Sequence, residues 1–306
     1  MPSAVASWPA PAVSPAMDDA EFSRWVDLLE RRTGVVVSPG RKTFLVAAVR
    51  TRMREAGKGN YKAYFDELLE GARGAIEWAT LVDRLTVHQT HFFRHQPSLD
   101  LIARDWLAPY IAAQGSGTIH AWSVGCSTGE EAFTLAMVLD QALASAAGKT
   151  YFGITATDIS AAALAVGRGA IYPVSKLDEI PLPLREHYCV PSGELFDADG
   201  GIRAPGSLDE ADSFAISETL RKRIGFVQFN LIDVARAPLK RLDLIYCQNV
   251  LIYFARERRA SLLQALADLL KPGGLLVLGA GEVLGFSHPQ LTRLGGPQTL
   301  AFRRTA

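Results

Sequence analysis

The sequence has no Cys-x-x-Cys pair, no apolar run of membrane length and no surplus of either charge, and each absence removes a class of protein. Its three cysteines, Cys126, Cys189 and Cys247, stand far apart in 306 residues. Neither a disulfide framework nor a zinc ribbon is therefore expected, and a reducing compartment, the cytoplasm, fits. No stretch of about eighteen apolar residues occurs, so direct membrane insertion is excluded; even LLVLGAG (275–281) is closed by Glu282. Lysine plus arginine equals aspartate plus glutamate at 32 each. That balance argues against a nucleic-acid partner held by the overall field of the chain.

What is present is enough apolar material for an unstapled core, with 48% hydrophobic and 21% charged residues, at a length that suits one or two domains. Residues 1–17 contain four prolines and no charged side chain. They lack the basic start and apolar run of a secretion signal and are expected to be a disordered leader. Residues 18–90 have apolar positions at helical spacing, as in Phe22, Trp25, Val26, Leu28 and Leu29 and again in Tyr61, Tyr64, Phe65, Leu68 and Leu69. They predict an N-terminal helical domain. Within it, Arg41 to Lys58 reads as a helix of local charge +5, with Arg50 and Arg54 on one face. This is either a solvated basic face or a docking surface for an acidic partner.

Residues 91–306 change texture. After a helix at about 99–113, short apolar runs at 119–124, 151–158, 226–230, 242–247 and 275–281 alternate with helices at about 130–147, 159–167 and 256–270, with KPGG (271–274) as a turn. The alternation predicts an α/β domain with a mainly parallel sheet covered on both faces. The rhythm stops between about 173 and 217, where a Pro-, Gly- and Asp-rich segment reads as a small inserted β-subdomain with an Asp-Gly-Gly hairpin turn.

The first strand runs into Val124-Gly125-Cys126-Ser127-Thr128-Gly129-Glu130-Glu131, a glycine turn followed by a helix start, and the second ends in Asp158. Open α/β sheets bind ligands at such carboxyl ends. This is not the dinucleotide fingerprint, because paired acids after the glycines would repel a pyrophosphate. A cationic nucleoside suits the loop better, and S-adenosyl-L-methionine is one, with Asp158 placed to accept ribose hydroxyls. The alternative is an ordinary glycine turn with solvated acids.

Several segments together extend this reading: Thr86-Val-His-Gln-Thr-His-Phe-Phe-Arg94, Trp122-Ser-Val-Gly-Cys-Ser-Thr-Gly-Glu-Glu131, Ala156-Thr-Asp-Ile159, Phe229-Asn-Leu231, Cys247-Gln-Asn-Val-Leu-Ile-Tyr-Phe254 and Lys271-Pro-Gly-Gly274. In order and approximate spacing the chain resembles the CheR family of chemotaxis receptor methyltransferases from about Asp18 onward. The resemblance implies a Rossmann-like S-adenosylmethionine-dependent sheet with an N-terminal helical domain and a small β insertion. It also implies methyl esterification of glutamate side chains on the cytoplasmic helices of a chemoreceptor or receptor-like protein, release of S-adenosyl-L-homocysteine, and an opposing methylesterase in the pathway. By matching positions it implies a cofactor site of His88, Thr90, Arg94, Gly125, Glu130, Asp158, Asn230, Leu231, Gln248 and Asn249, with Arg94 and Tyr253 near the transferred methyl. Two positions depart from the family pattern: His88 stands where asparagine is usual and Gln248 where arginine is usual.

Transfer to an already ionised carboxylate requires no strong base, which fits the lack of a catalytic triad. Arg94 could orient the incoming carboxylate and the Tyr253 hydroxyl could donate to it. Without the resemblance, Tyr253 reads as a core aromatic and Arg94 as a helix-start ion pair. His88, His91 and His95 would share one face of a helix, yet no Cys or Asp cluster accompanies them and no metal is expected. The other readings open at this level are a methyltransferase of the same fold with another substrate and a cofactor-binding regulatory module without turnover.

Overall fold

The computed structural model describes residues 16–86, 88–114, 117–144, 150–191, 212–283 and 285–305. Most of the expected leader and the Asp-Gly-Gly turn lie outside these residues. The chain divides into two compact units, one ending at Leu85 and containing the residues up to Arg32 and Val36–Leu85, the other containing Thr33–Val35 and Thr86 onward. The division thus falls at Leu85/Thr86 rather than after residue 90.

The first unit is helical: α1 (Asp19–Thr33), α2 (Lys42–Glu55), α3 (Tyr61–Leu69) and α4 (Gly71–Leu85). The Asn60 side chain starts α3 by accepting the Ala63 amide at 2.8 Å, the usual way to satisfy an orphan donor at a helix start. Trp25 is fully buried, stacked on Tyr64 with centroids 5.7 Å apart and edge-on to Phe65 at 5.0 Å. Met17, expected within the leader, is buried in this same core, because its apolar side chain gains more from that cluster than from water. Gly74 permits α3 and α4 to approach, since a Cβ there would strike the Glu67 carbonyl.

The basic run is shorter as a helix than expected and largely neutralised within its own unit. Arg52 forks onto Glu77 at 2.9 and 2.5 Å and also pairs with Glu55, Lys58 reaches Glu67 at 3.2 Å, and Lys42 pairs with Asp19. Arg50 donates to the Tyr61 hydroxyl at 3.3 Å, while Arg54 is exposed.

The second unit is built on a seven-stranded sheet of order β6-β2-β1-β7-β8-β10-β9. Its strands are β1 (Thr118–Val124), β2 (Tyr151–Asp158), β6 (Ile224–Gln228), β7 (Leu242–Cys247), β8 (Leu270–Leu278), β9 (Leu291–Leu294) and β10 (Leu300–Arg304). The first five are parallel, and β10 runs antiparallel to both its neighbours. Side chains alternate between two cores: Ile119, Ala121, Leu244, Tyr246, Leu275 and Val277 face one, and Trp122, Val124, Ile245, Cys247, Leu276 and Leu278 the other. That period of two, apolar on both faces, is why these strands read as unbroken hydrophobic runs.

The first core is covered by α5 (Gln96–Asp100), a π-helical turn (Leu101–Leu107), α6 (Ala108–Gln114) and α7 (Glu130–Ala144). Helix α8 (Ala161–Gly169) follows β2, and α11 (Arg256–Leu269) lies on the second core. The inserted segment forms an antiparallel three-stranded sheet, β3-β5-β4, from β3 (Ile171–Pro173), β4 (Cys189–Pro191) and β5 (Ser213–Ile216). It also carries a 3-10 turn (Val174–Glu179) and α9 (Leu182–Tyr188), and the short α10 (Glu218–Arg221) leads back into β6. All three cysteines are buried, one in the loop after β1, one on β4 and one at the end of β7.

Lys271-Pro-Gly-Gly274 is not a turn before β8 but a bulge within it. A step of two residues on β7 (Leu242 to Leu244) is matched by a step of five on β8 (Leu270 to Leu275). The extra residues are pinned rather than loose: Lys271 Nζ lies 2.8 and 2.9 Å from the buried Asp243 carboxylate, which also accepts the Tyr110 hydroxyl at 2.6 Å and the His120 amide at 2.7 Å.

Candidate active site

The chain leaves β1 toward β2 and β6 on one side and returns to β7 and β8 on the other, so strand order reverses at β1. A crevice at the carboxyl ends of the strands is the expected ligand site of such a sheet. The loops there carry Gly125–Glu130 after β1, Asp158 at the end of β2, Asn230 and Leu231 after β6, and Gln248, Asn249 and Tyr253 after β7.

Three residues of the first loop have positive φ: Gly125 (70°), Ser127 (50°) and Gly129 (97°). A Cβ on Gly125 would collide with Val250, and one on Gly129 would sit 3.0 Å from Gly167 Cα and from the Tyr172 hydroxyl. Glycine is therefore required here both for conformation and for space. The amides of Gly125 and Cys126 donate to the Thr157 carbonyl at 2.8 and 2.9 Å. Asp158 then ties the turn down: Oδ2 accepts the Ser127 amide at 2.8 Å and Oδ1 the Ser160 amide at 2.9 Å. Burial raises the Asp158 pKa, and these amides and nearby His88 draw it back. With the amides of Ser127, Ser160 and Ile159 acting on it, the carboxylate keeps acceptor capacity for a ligand hydroxyl.

Glu130, at the start of α7, is buried. Its Oε2 accepts the Thr128 hydroxyl at 2.6 Å and its Oε1 the Lys176 ammonium at 2.5 Å. Lys176 also donates to the Thr90 carbonyl at 3.3 Å, and Glu179 accepts the Phe92 amide at 2.8 Å. One 3-10 turn of the insertion thus fastens both the glycine loop and the segment leading to Arg94. Adjacent Glu131 accepts the Ser123 hydroxyl at 2.6 Å. Burial lifts its pKa to about 8, with Ser123 and Arg94 opposing and Glu282 and Asp158 adding to the rise. Glu282, buried beyond β8, is lifted to about 7, again by burial.

Arg94 is exposed; it donates to the Gln89 carbonyl at 3.0 Å and acts electrostatically on Glu131 and Tyr246. Residues 88–95 are not helical, so the spacing of the three histidines defines no common face. They bond separately, His88 to the Thr86 hydroxyl at 2.9 Å, His91 to the Phe92 carbonyl at 3.1 Å and His95 to the Ser98 hydroxyl at 2.8 Å. Asn230 caps a 3-10 turn (Leu231–Arg236) by accepting the Ile232 amide at 3.3 Å, and Leu231 is buried behind it. Asn249 adopts φ 61°. Tyr253 is half-buried in a 3-10 turn (Leu251–Tyr253).

Gln248, expected among the cofactor contacts, is instead buried with its whole amide engaged in the interior. It accepts the Tyr246 hydroxyl at 2.8 Å and donates to the Ser98 hydroxyl and the Leu278 carbonyl, both at 3.0 Å. Both polar atoms of the amide are thus engaged with the interior, and the second lone pair of Oε1 is what it has to offer a ligand. Lys176 and Glu282 carry no site signal in the sequence, whereas Glu131 has one as the second acid of the Gly-Glu-Glu run.

Residues 20–86 match the family profile described as "CheR methyltransferase, all-alpha domain", and residues 88–203 and 206–299 match "CheR methyltransferase, SAM binding domain". The chain belongs to the CheR methyltransferase family. Similar curated proteins include the chemotaxis protein methyltransferase of Borreliella burgdorferi, 29% identical over 86% of this chain and 88% of that protein. Chemotaxis protein methyltransferase 1 of Pseudomonas aeruginosa is 29% identical over 87% and 91%, and that of Escherichia coli 29% over 89% and 87%.

This CheR protein is an S-adenosyl-L-methionine-dependent methyltransferase. Its own residues suit that donor. The carboxylates at 130 and 158 favour a cation over a phosphate, and the Ser127 hydroxyl, at the tip of the loop, is a buried polar group with no hydrogen-bond partner among the described residues. A buried hydroxyl left in that state is costly unless a ligand or water completes it. Among the described residues no cluster of His, Cys, Asp or Glu could hold a metal ion, and no helix is long and apolar enough to cross a membrane.

Proposed function

We propose that this CheR protein esterifies glutamate side chains on the cytoplasmic helices of a chemoreceptor or receptor-like protein, in a cytoplasmic pathway with an opposing methylesterase. The observation that carries the reading is the match of both family domains, in order, across residues 20–299, joined to the names of the similar proteins, chemotaxis protein methyltransferases.

S-adenosyl-L-methionine supplies an electrophilic methyl group on a sulfonium. The residues of this chain then divide the work. The Gly125–Gly129 turn lets backbone approach the ligand. Asp158 holds that turn and offers spare lone pairs to ribose hydroxyls, while Asn249 and the Asn230–Leu231 pair close the crevice beside it. Arg94, exposed and positively charged, orients the acceptor carboxylate, and the Tyr253 hydroxyl donates a hydrogen bond to it. A carboxylate acceptor is ionised at neutral pH, so alignment and exclusion of water supply the acceleration rather than proton transfer.

The test is incubation with methyl-labelled donor and cognate receptor, followed by mild alkali. Base-labile label on the receptor is expected. Stable label would point to another acceptor, and binding of S-adenosyl-L-homocysteine with no label would favour the regulatory module. Within the same assay Arg94→Ala and Tyr253→Phe are expected to lower turnover by about tenfold, or about 1.4 kcal/mol of barrier.

A further inference from the structure

The loop after β7, residues 248–254, presents both Asn249 and Tyr253, and its backbone is unusual. Asn249 lies at φ 61°, a left-handed conformation that asparagine tolerates better than other side chains and that its surroundings fix here. Two side chains outside the loop do so.

The first is Glu282, only 5% exposed. Its carboxylate accepts the Gly279 amide at 3.3 Å, and the amides of Asn249 and Val250 act on the same carboxylate, drawing down a pKa that burial raises to about 7. Gly279 makes room for it, since a Cβ there would lie 2.5 Å from Glu282 Cδ. The second is Arg259 on α11. One guanidinium nitrogen donates to the Glu282 carbonyl at 2.8 Å and another to the Phe254 carbonyl at 3.0 Å. The loop is therefore bonded at its end by the guanidinium at Phe254, the same Arg259 grips the Glu282 backbone, and the Glu282 carboxylate draws on the Asn249 and Val250 amides at its start, with the 3-10 turn carrying Tyr253 between them. Val250 in turn packs where a side chain on Gly125 would stand, so the same fastening registers this loop against the glycine turn.

We propose that Glu282 and Arg259 are positioning residues for methyl transfer, which hold residues 248–254 in the one conformation that aims the Tyr253 hydroxyl at the acceptor. Neither touches the reacting atoms; both act through the loop. The proposal rests on the reading of Tyr253 given above. Ionised Glu282 accepts amide protons better than its neutral form, so the grip tightens as pH rises through about 7. The titratable and charged groups facing it are Arg259 from α11, Glu131 from α7, and Tyr246 and Cys247 from β7.

Glu282→Gln keeps the shape and removes the charge; Arg259→Lys keeps the charge and removes the two-pronged bond. Hydrogen exchange of the amides in residues 248–254, measured on the full chain without donor, should accelerate by about tenfold in either variant, while the amides of β1 and β2 stay protected. The turnover of the wild-type protein should rise through about pH 7, and that rise should be absent in Glu282→Gln, with the Michaelis constant for the receptor unchanged. Unaltered exchange in residues 248–254 in both variants overturns the proposal, as does a pH limb that persists in Glu282→Gln. If Glu282→Gln does not fold, Arg259→Lys decides by exchange alone. Because exchange needs no chemistry, a wild-type protein that forms no ester would refute the proposed function while leaving the fastening of the loop testable by itself.

Discussion

The Lys176 ammonium reaches two elements at once, Glu130 at 2.5 Å and the Thr90 carbonyl at 3.3 Å. It ties the inserted subdomain to the glycine loop and to the segment that leads to Arg94. Glu130 is 1% exposed, and among the described residues Lys176 is the cation that balances its charge.

Removing that cation leaves a buried carboxylate without compensation. Lys176→Met is expected to lower unfolding stability by about 1–3 kcal/mol and to weaken S-adenosyl-L-homocysteine binding by about tenfold. Denaturant titration and calorimetry check the two effects separately, and Lys176→Arg should recover most of both.

Asp158→Ala removes the acceptor for the Ser127 and Ser160 amides as well as the spare lone pairs. Calorimetry should show cofactor affinity reduced by about tenfold or more. Unchanged affinity would remove Asp158 from the binding site.

Glu131 predicts a pH dependence of stability. Its folded-state pKa stands at about 8 against an ordinary 4.5. Between those values the folded protein holds a proton that the unfolded chain has released. Its contribution is complete below about pH 4.5 and is lost as pH rises toward 8, with a slope of at most about 1.4 kcal/mol per pH unit. Glu131→Gln should flatten this part of the profile, as read by denaturant midpoints at successive pH values.

Arg50 and Arg54 are the docking candidates on α2. Replacing both by alanine should raise the Michaelis constant for the receptor about three- to tenfold at low salt and leave cofactor binding alone. The difference should vanish near 1 M salt, where charge attraction is screened within about 3 Å. A salt-independent effect would make this face ordinary surface.

The central strands were legible where both of their faces are buried, which turns β7 and the end of β1 into apolar words with sharp ends. The outer strands were not: Leu291–Leu294 and Leu300–Arg304 include Arg293, Arg303 and Arg304, and short mixed strands at an edge carry no periodic signal. Lys271-Pro-Gly-Gly274 is a turn by local chemistry, yet a distant carboxylate, Asp243, holds it inside a strand. The glycine turn and Asp158 could be found from spacing. Lys176 could not, since its partner lies 46 residues away and nothing local marks it. Gln248 sat in a recognisable segment, but only the fold reveals that Ser98, Tyr246 and Leu278 absorb its amide.

The three thiols have a practical consequence. Burial pushes the Cys189 pKa up to about 12 and raises Cys126 and Cys247 well above the ordinary range, so none offers a reactive thiolate while its surroundings stay closed. Alkylation at neutral pH would therefore time three separate openings: of the bed beneath the glycine turn, of the small antiparallel sheet, and of the floor beneath the tyrosine loop.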